Sequence, residues 1–164
     1  MSDDLATYLT DHMAGSVAAL EVLERLADSR GDEPVGAEAA RLRDEILGER
    51  RILDGLAERL GVAMSLPRKA ASWVAEKAVQ VKLRYDDPGD GAFRLLESLE
   101  GLSLGIEGKR LLWKSLSNAS SSRDDLKGPD YDGLIAAAED QRRRVEVHRL
   151  AAARDALAAT TPTP

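Results

Sequence analysis

The sequence predicts an all-α protein, with four long helices in an up-and-down bundle and a long link between the second and the third. Apolar side chains recur at steps of three and four residues through four segments, which places them along one face of a helix. Aromatic residues make up only 4% of the chain, so leucine, alanine, valine and isoleucine must build the core. Together with abundant glutamate and arginine, these residues favour helix over sheet. The 164 residues suffice for one domain, which we place at residues 1–159.

The first two helices are predicted to form an antiparallel pair. We expect the first at residues 3–29, with Gly31 as a left-handed stop, and the second at residues 34–60, with Gly61 as its stop. Proline at position 34 suits the first turn of a helix, because the N–H that it lacks would have no partner there. The turn between the helices is short, which favours antiparallel neighbours.

A crossover is predicted after the second helix, over about residues 62–90. Within it, residues 66–85 are expected to form a shorter amphipathic helix that carries Trp73 and five basic residues against one acidic residue. Such a helix could lie on an anionic membrane or dock to an acidic partner. We favour packing of Trp73 on the bundle, because stable membrane anchoring usually takes two signals.

The third and fourth helices are predicted to form the second antiparallel pair. We expect the third at residues 91–117, a serine-rich loop at residues 118–122, and a fourth helix that opens at Asp130 and continues to about residue 159. Residues 160–164 are expected to be a disordered tail. The long crossover lets the third helix start at the same end of the bundle as the second, so these two should run parallel.

Polar residues interrupt the apolar faces of these helices near their middles. Glu49 is the clearest case, because it occupies the helical slot between Ile46 and Leu53 where a leucine is expected. A buried carboxylate without a partner is costly, so it must find a cation, a donor or a metal. The other polar exceptions are His12, Ser16, Lys109, Gln141 and His148. Counting along the helices brings them near one level, which predicts a polar layer inside the bundle.

Two interpretations of this layer stay open. In the structural one, Lys109 pairs with Glu49, and neighbouring polar groups complete the hydrogen bonds. Those neighbours are His12, Ser16 and Gln141. In the other, inward carboxylates and imidazoles hold a divalent metal ion or iron, as they do in bundle-core metal sites. The four candidate ligands are His12, Glu49, Glu107 and His148. We favour the structural interpretation, because buried polar groups are usually satisfied without chemistry, and we expect no cofactor.

Several glycines fall inside the predicted helices, although each costs about 1 kcal/mol relative to alanine. They are Gly15, Gly48, Gly55, Gly101, Gly105 and Gly108. The last three align on one side of the third helix and form a groove that the crossover helix or a second subunit could approach closely. A bend or a π-bulge is the alternative explanation.

The composition excludes several classes of function. A net charge of −6 argues against nucleic-acid binding, which needs a basic footprint. The absence of cysteine excludes disulfides, thiolate catalysis and cysteine-ligated metal sites, and it fits a reducing cytoplasm. No signal sequence, membrane-spanning run, phosphate-binding glycine loop or serine nucleophile motif is present.

The arrangement resembles the ferritin-like bundles, in which a long crossover joins two antiparallel helix pairs. Tyr8-Leu9-Thr10-Asp11-His12 and Leu104-Gly105-Ile106-Glu107-Gly108-Lys109-Arg110 are similar to segments of an uncharacterised bacterial branch of that superfamily. The resemblance implies a ferritin-like up-down bundle. The active families carry Glu-x-x-His motifs on the second and fourth helices, whereas here Ile52 follows Glu49 and Arg149 follows Glu146 at that spacing.

We therefore predict a non-enzymatic helical bundle that works as a structural or protein-interaction module in the cytoplasm. A homodimer or another protein is the expected partner, and we expect neither nucleic acid nor a membrane. The alternative is a degenerate carboxylate and histidine metal-binding bundle with redox or oxygen-related activity.

Overall fold

The computed structural model describes residues 3–62 and 91–158, and most of these residues lie in helices. The four long helices are α1 (Asp3–Ser29), α2 (Pro34–Arg59), α3 (Ala92–Ser120) and α4 (Tyr131–Leu157), with a short 3-10 helix at Asp124–Leu126. No strand occurs in the described part of the chain, so the all-α prediction is confirmed. Within these ranges, no helix has both the length and the apolar character needed to cross a bilayer. The expected crossover helix and C-terminal tail lie outside the described residues.

The turn between α1 and α2 differs from its prediction at one glycine. Gly61 does adopt a left-handed conformation after α2, with φ of 65°, but Gly31 is not among the described glycines with positive φ. The Glu33 N–H instead donates to the Arg30 carbonyl at 2.9 Å, and the Arg30 guanidinium pairs with the Glu33 carboxylate at 3.0 Å. These contacts close the turn without a left-handed residue, so the predicted Gly31 stop is wrong.

The end of α3 also differs from its prediction. Residues 118–120 were expected to begin a loop but continue the helix. The Ser120 hydroxyl donates to the Ser117 carbonyl at 2.7 Å, and the Ser121 hydroxyl donates to the Asn118 carbonyl at 2.7 Å. Serine hydroxyls thus bond to carbonyls of the last turn, where regular intrahelical hydrogen bonds come to an end. At the start of α4, Asp130 is the expected cap and accepts from the Gly133 N–H at 3.0 Å.

Two apolar cores, one toward each end of the helices, define how they are arranged. One core contains Leu23, Leu42, Leu99 and Val145, and the other contains Leu9, Leu56, Leu116 and Leu134. The first core therefore joins the late part of α1 to the early parts of α2 and α3 and the late part of α4. It follows that α1 and α2 are antiparallel, α3 and α4 are antiparallel, and α2 runs parallel to α3. The predicted polar positions Glu49 on α2 and Lys109 on α3 lie between these cores, whereas His148 on α4 lies at the level of the first core.

Candidate functional site

Three side chains from three helices form a closed polar triangle between the two cores. Lys109 Nζ on α3 donates to Glu49 Oε2 on α2 and to Gln141 Oε1 on α4. Gln141 Nε2 completes the triangle by donating to Glu49 Oε1 at 2.8 Å. Glu49 is 8% exposed and Gln141 is 1% exposed, so water contributes little to their solvation. Each buried charge or amide therefore has partners supplied by the fold, as buried polar groups require.

The triangle continues to the surface between α2 and α4. Gln141 Nε2 also donates to Glu45 Oε2 at 3.2 Å, and Arg144 Nη2 donates to the same carboxylate oxygen. Arg144 Nη1 donates to Glu38 Oε1 at 2.6 Å, and Glu38 lies about two helical turns before Glu45 on α2. The bonds form a continuous polar network from the interior to the rim, and such networks favour one relative placement of the helices.

Lys109 is the base of this network whose pKa is lowered. Burial lowers the pKa of its ammonium group, and the attraction of the Glu49 carboxylate opposes this effect without cancelling it. The balance is a lowered pKa, because desolvation penalises the charged form of a lysine. Lys109 therefore holds its proton less tightly than a solvated lysine does.

A cleft of about 310 Å³ lies beside the triangle, between α1, α2 and α3. Glu49 and Lys109 contribute to its wall, and much of the remainder is apolar. Gly15 on α1 and both Gly105 and Gly108 on α3 also line it, and a Cβ atom added at any of the three would stand in open space. The volume lies at the lower end of the range for small-molecule sites. Because these three glycines have no side chains, space remains beside the buried ion pair.

Trp113 lines the cleft and carries a buried hydrogen-bond donor without a partner. Its side chain is 1% exposed, and its Nε1–H has no acceptor among the described residues. Indole nitrogen can only donate, and a buried donor without a partner is destabilising. The indole Nε1–H is therefore a fully buried donor, at a residue whose ring forms part of the cleft wall.

His12 and Ser16 lie at the cleft but not in the triangle. The His12 ring packs edge-on against Tyr8, with ring centroids 4.7 Å apart, and burial lowers its pKa despite the neighbouring Asp11 charge. The Ser16 hydroxyl donates to the Met13 carbonyl at 2.7 Å and accepts from Arg50 Nη1. Among the residues of the predicted polar layer, Lys109 and Gln141 are the ones with described hydrogen bonds to Glu49.

Glu107 and His148 have described surroundings that differ from those of Glu49. The Glu107 carboxylate binds Arg110 at 2.8 Å and Arg142 at 2.7 Å, and the hydrogen bond from Arg110 is the main cause of its lowered pKa. His148 lines a cavity of only about 10 Å³ in the first core. In the described ranges, no group of three or more histidine, aspartate or glutamate side chains could hold a metal ion. The structure thus does not bring the four candidate ligands together.

Sequence reasoning missed the outer part of the network and most of the cleft. Arg144 and Glu45 could have been found, since each lies one helical turn from a predicted polar position, Gln141 and Glu49 respectively. The contact of Arg50 with Ser16 carries no such signal, because Arg50 belongs to an ordinary charged run on α2. In comparisons with known proteins, no family, no curated protein and no solved structure matched this chain.

Proposed function

We propose that this protein is a ferritin-like helical bundle that works as a non-enzymatic binding module, and that its ligand is an apolar small molecule held in the cleft. The single observation that carries the proposal is the cleft itself, a concave and largely apolar space beside a few fixed polar groups. Sites with this combination are the usual places where proteins bind small ligands. Binding without catalysis fits a chain that carries no complete catalytic motif.

The ferritin-like assignment is supported by the order and direction of the helices. Two antiparallel pairs pack together, and α2 runs parallel to α3, which is the arrangement that a long crossover produces. The geometry of the described residues does not favour the metal-binding alternative, so we do not propose it.

The test is to fill the cleft without disturbing the fold. Gly105→Leu places a side chain in open space at the cleft wall, and it also replaces a poor helix former by a good one. Gly55→Leu is the matched control, because Gly55 is exposed on α2, has equally open space around it and does not line the cleft. Binding of the neutral apolar dye N-phenyl-1-naphthylamine is followed by its fluorescence.

We expect the unaltered protein and Gly55→Leu to bind the dye with the same affinity, and Gly105→Leu to lose binding while keeping its helical circular dichroism. The reason is that leucine occupies volume that the dye needs. Equal binding by all three proteins would place the dye elsewhere and refute the proposed site.

The outer face of α3 supports a second candidate function, contact with another protein or a second copy of the chain. Phe93, Leu104 and Leu111 are exposed, Leu104 by 75%, and their spacings of eleven and seven residues place them along one line of the helix. An exposed line of large apolar side chains is a candidate contact surface for a partner. Sedimentation of the unaltered protein and of Leu104→Lys tests this. A complex that is lost in the variant would support it, and an unaltered protein that stays monomeric and unbound would oppose it.

A further inference from the structure

The cleft contains a nucleophile that simple apolar binding does not use. Lys109 contributes to the wall of the cleft with its side chain 15% exposed, and its amine is bonded to the buried carboxylate of Glu49. A lysine amine adds to carbonyl carbon when it is neutral, and desolvation in an apolar pocket is a common way to favour the neutral form. The partner carboxylate is placed to take the proton.

We propose that Lys109 binds an apolar aldehyde or ketone in the cleft as a reversible imine, with Glu49 moving the proton. The inference rests on the proposed function, because the carbonyl compound must first enter the cleft. It names the ligand class of that site and the residue that would hold the ligand.

The covalent step balances within the ion pair. Glu49 takes a proton from the Lys109 ammonium, and the neutral amine attacks the carbonyl carbon to give a carbinolamine. The Glu49 carboxylic acid then returns its proton to the departing hydroxyl group, so that water leaves and a protonated imine remains beside the carboxylate. No oxidant or reductant is required, and the total charge of the pair and ligand is unchanged.

Three features of the site favour this chemistry. Burial lowers the pKa of Lys109, which increases the fraction of neutral amine at neutral pH. The mostly apolar walls offer few hydrogen-bond partners to water, the species that reverses imine formation. Trp113 lies one helical turn after Lys109 on the same side of α3, and its indole adds a large apolar surface to the wall of the cleft.

The experiment traps the imine with a simple probe. The full chain is incubated at neutral pH with 2-naphthaldehyde, sodium cyanoborohydride reduces any imine to a stable amine, and peptide mass spectrometry locates the label. Lys114 and Lys127 are the internal references, because both are exposed. We expect early labelling at Lys109 to exceed labelling at either reference severalfold, because its lowered pKa leaves more of its amine neutral.

Variants separate the site from general lysine chemistry. Lys109→Arg keeps a cation beside Glu49 but cannot form an imine, so it should lose the dominant label. Lys114→Arg on the same helix should keep it. If Lys109→Arg fails to fold, the double variant Glu49→Leu/Lys109→Met removes both charges together and serves as the second test.

The outcomes distinguish this inference from the proposed function. Equal labelling of Lys109, Lys114 and Lys127 would overturn the inference. The proposed function would still stand if the unaltered protein bound N-phenyl-1-naphthylamine and Gly105→Leu did not. Loss of dye binding together with uniform labelling would overturn both. Dominant labelling at Lys109 that disappears in Gly105→Leu would support both.

Discussion

Glu49 and Lys109 carry opposite charges that are both largely withdrawn from water. Removing a carboxylate and an ammonium group from water is expensive, and their mutual attraction repays this cost only when the remaining hydrogen bonds are also satisfied. Gln141 meets that condition, because its amide donates to the carboxylate and accepts from the ammonium group. The triangle is therefore stable as a unit, and each member depends on the other two.

Removing one charge should cost more than removing both. We expect Lys109→Met to lower the free energy of unfolding by about 3 kcal/mol, because Glu49 would stay buried without its cation. The double variant Glu49→Leu/Lys109→Met should recover most of that loss, since apolar replacements of a buried ion pair are often neutral. Urea unfolding of the three proteins measures this, and equal losses in the single and double variants would contradict it.

His12 should make the protein less stable as the pH falls below neutrality. Burial lowers its folded-state pKa below the ordinary value of 6.5, with the Asp11 charge opposing this effect. Between those two pKa values the unfolded chain binds more protons than the folded chain, so the free energy of unfolding falls as the pH is lowered through that window.

The corresponding measurement is the melting temperature at about pH 7.5 and about pH 5.5, above the range in which ordinary carboxylates titrate. His12→Phe removes the titrating ring while keeping an aromatic contact for Tyr8, so its melting temperature should change less between the two conditions. An equal change in both proteins would show that another group controls this window.

At the scale of the helix, two glycines of α2, Gly36 and Gly55, have opposite effects on stability. A Cβ at Gly36 would stand 1.9 Å from the carbonyl oxygen of Arg30, so the α1–α2 turn requires glycine there. A Cβ at Gly55 would meet nothing within 4 Å. The first glycine is needed for close backbone approach, whereas the second only weakens its helix.

These two positions should respond oppositely to alanine. We expect Gly36→Ala to destabilise the protein by more than about 2 kcal/mol, because backbone atoms must move apart. Gly55→Ala should stabilise it by about 0.5 to 1 kcal/mol through helix propensity. Thermal and urea unfolding of both variants decide the matter, and a tolerated alanine at position 36 would disprove the need for close approach.

The sequence was most informative about the helices themselves. The predicted ends of α1 and α2 agree with the structure to within one residue, because Pro34 and Gly61 mark boundaries that only a few residue types favour. The end of α3 could not be predicted this way, since serines are typical of loops but also bond to the carbonyls of a last helical turn. Gly31 resembled a stop, yet contacts between Arg30 and Glu33 closed the turn instead.

The site could be predicted less completely from the sequence than the helices could. Helical spacing identified Glu49 as a polar exception on the apolar face of α2 and Lys109 as one on the apolar face of α3, because each exception can be recognised from the periodicity of a single helix. The cleft depends on how α1 faces α3, so the alignment of Gly15 with Gly105 appears only in three dimensions. The same limit applies to the free Nε1–H of Trp113, which looks like an ordinary core aromatic in the sequence.

At the scale of the whole molecule, polar contacts set how the two helical pairs meet. Between α2 and α4, the described bonds run from Gln141 and Arg144 to acidic residues of α2. Apolar packing in the two cores is strong but not directional, whereas this charged network accepts only one alignment of the helices. The pairs should therefore lose stability when a single bridging arginine is removed.

Arg144 and its neighbour Arg143 provide a matched test of this idea. Arg144 is 23% exposed and bridges α4 to Glu38 and Glu45 on α2, whereas Arg143 is 73% exposed and pairs with Asp140 on its own helix. We expect Arg144→Met to lower the free energy of unfolding by about 2 kcal/mol, because two acidic groups of α2 lose a charged donor. Arg143→Met should change it by less than about 0.5 kcal/mol, as exposed pairs usually do. Urea unfolding measures both, and equal effects would mean that apolar packing alone aligns the two pairs.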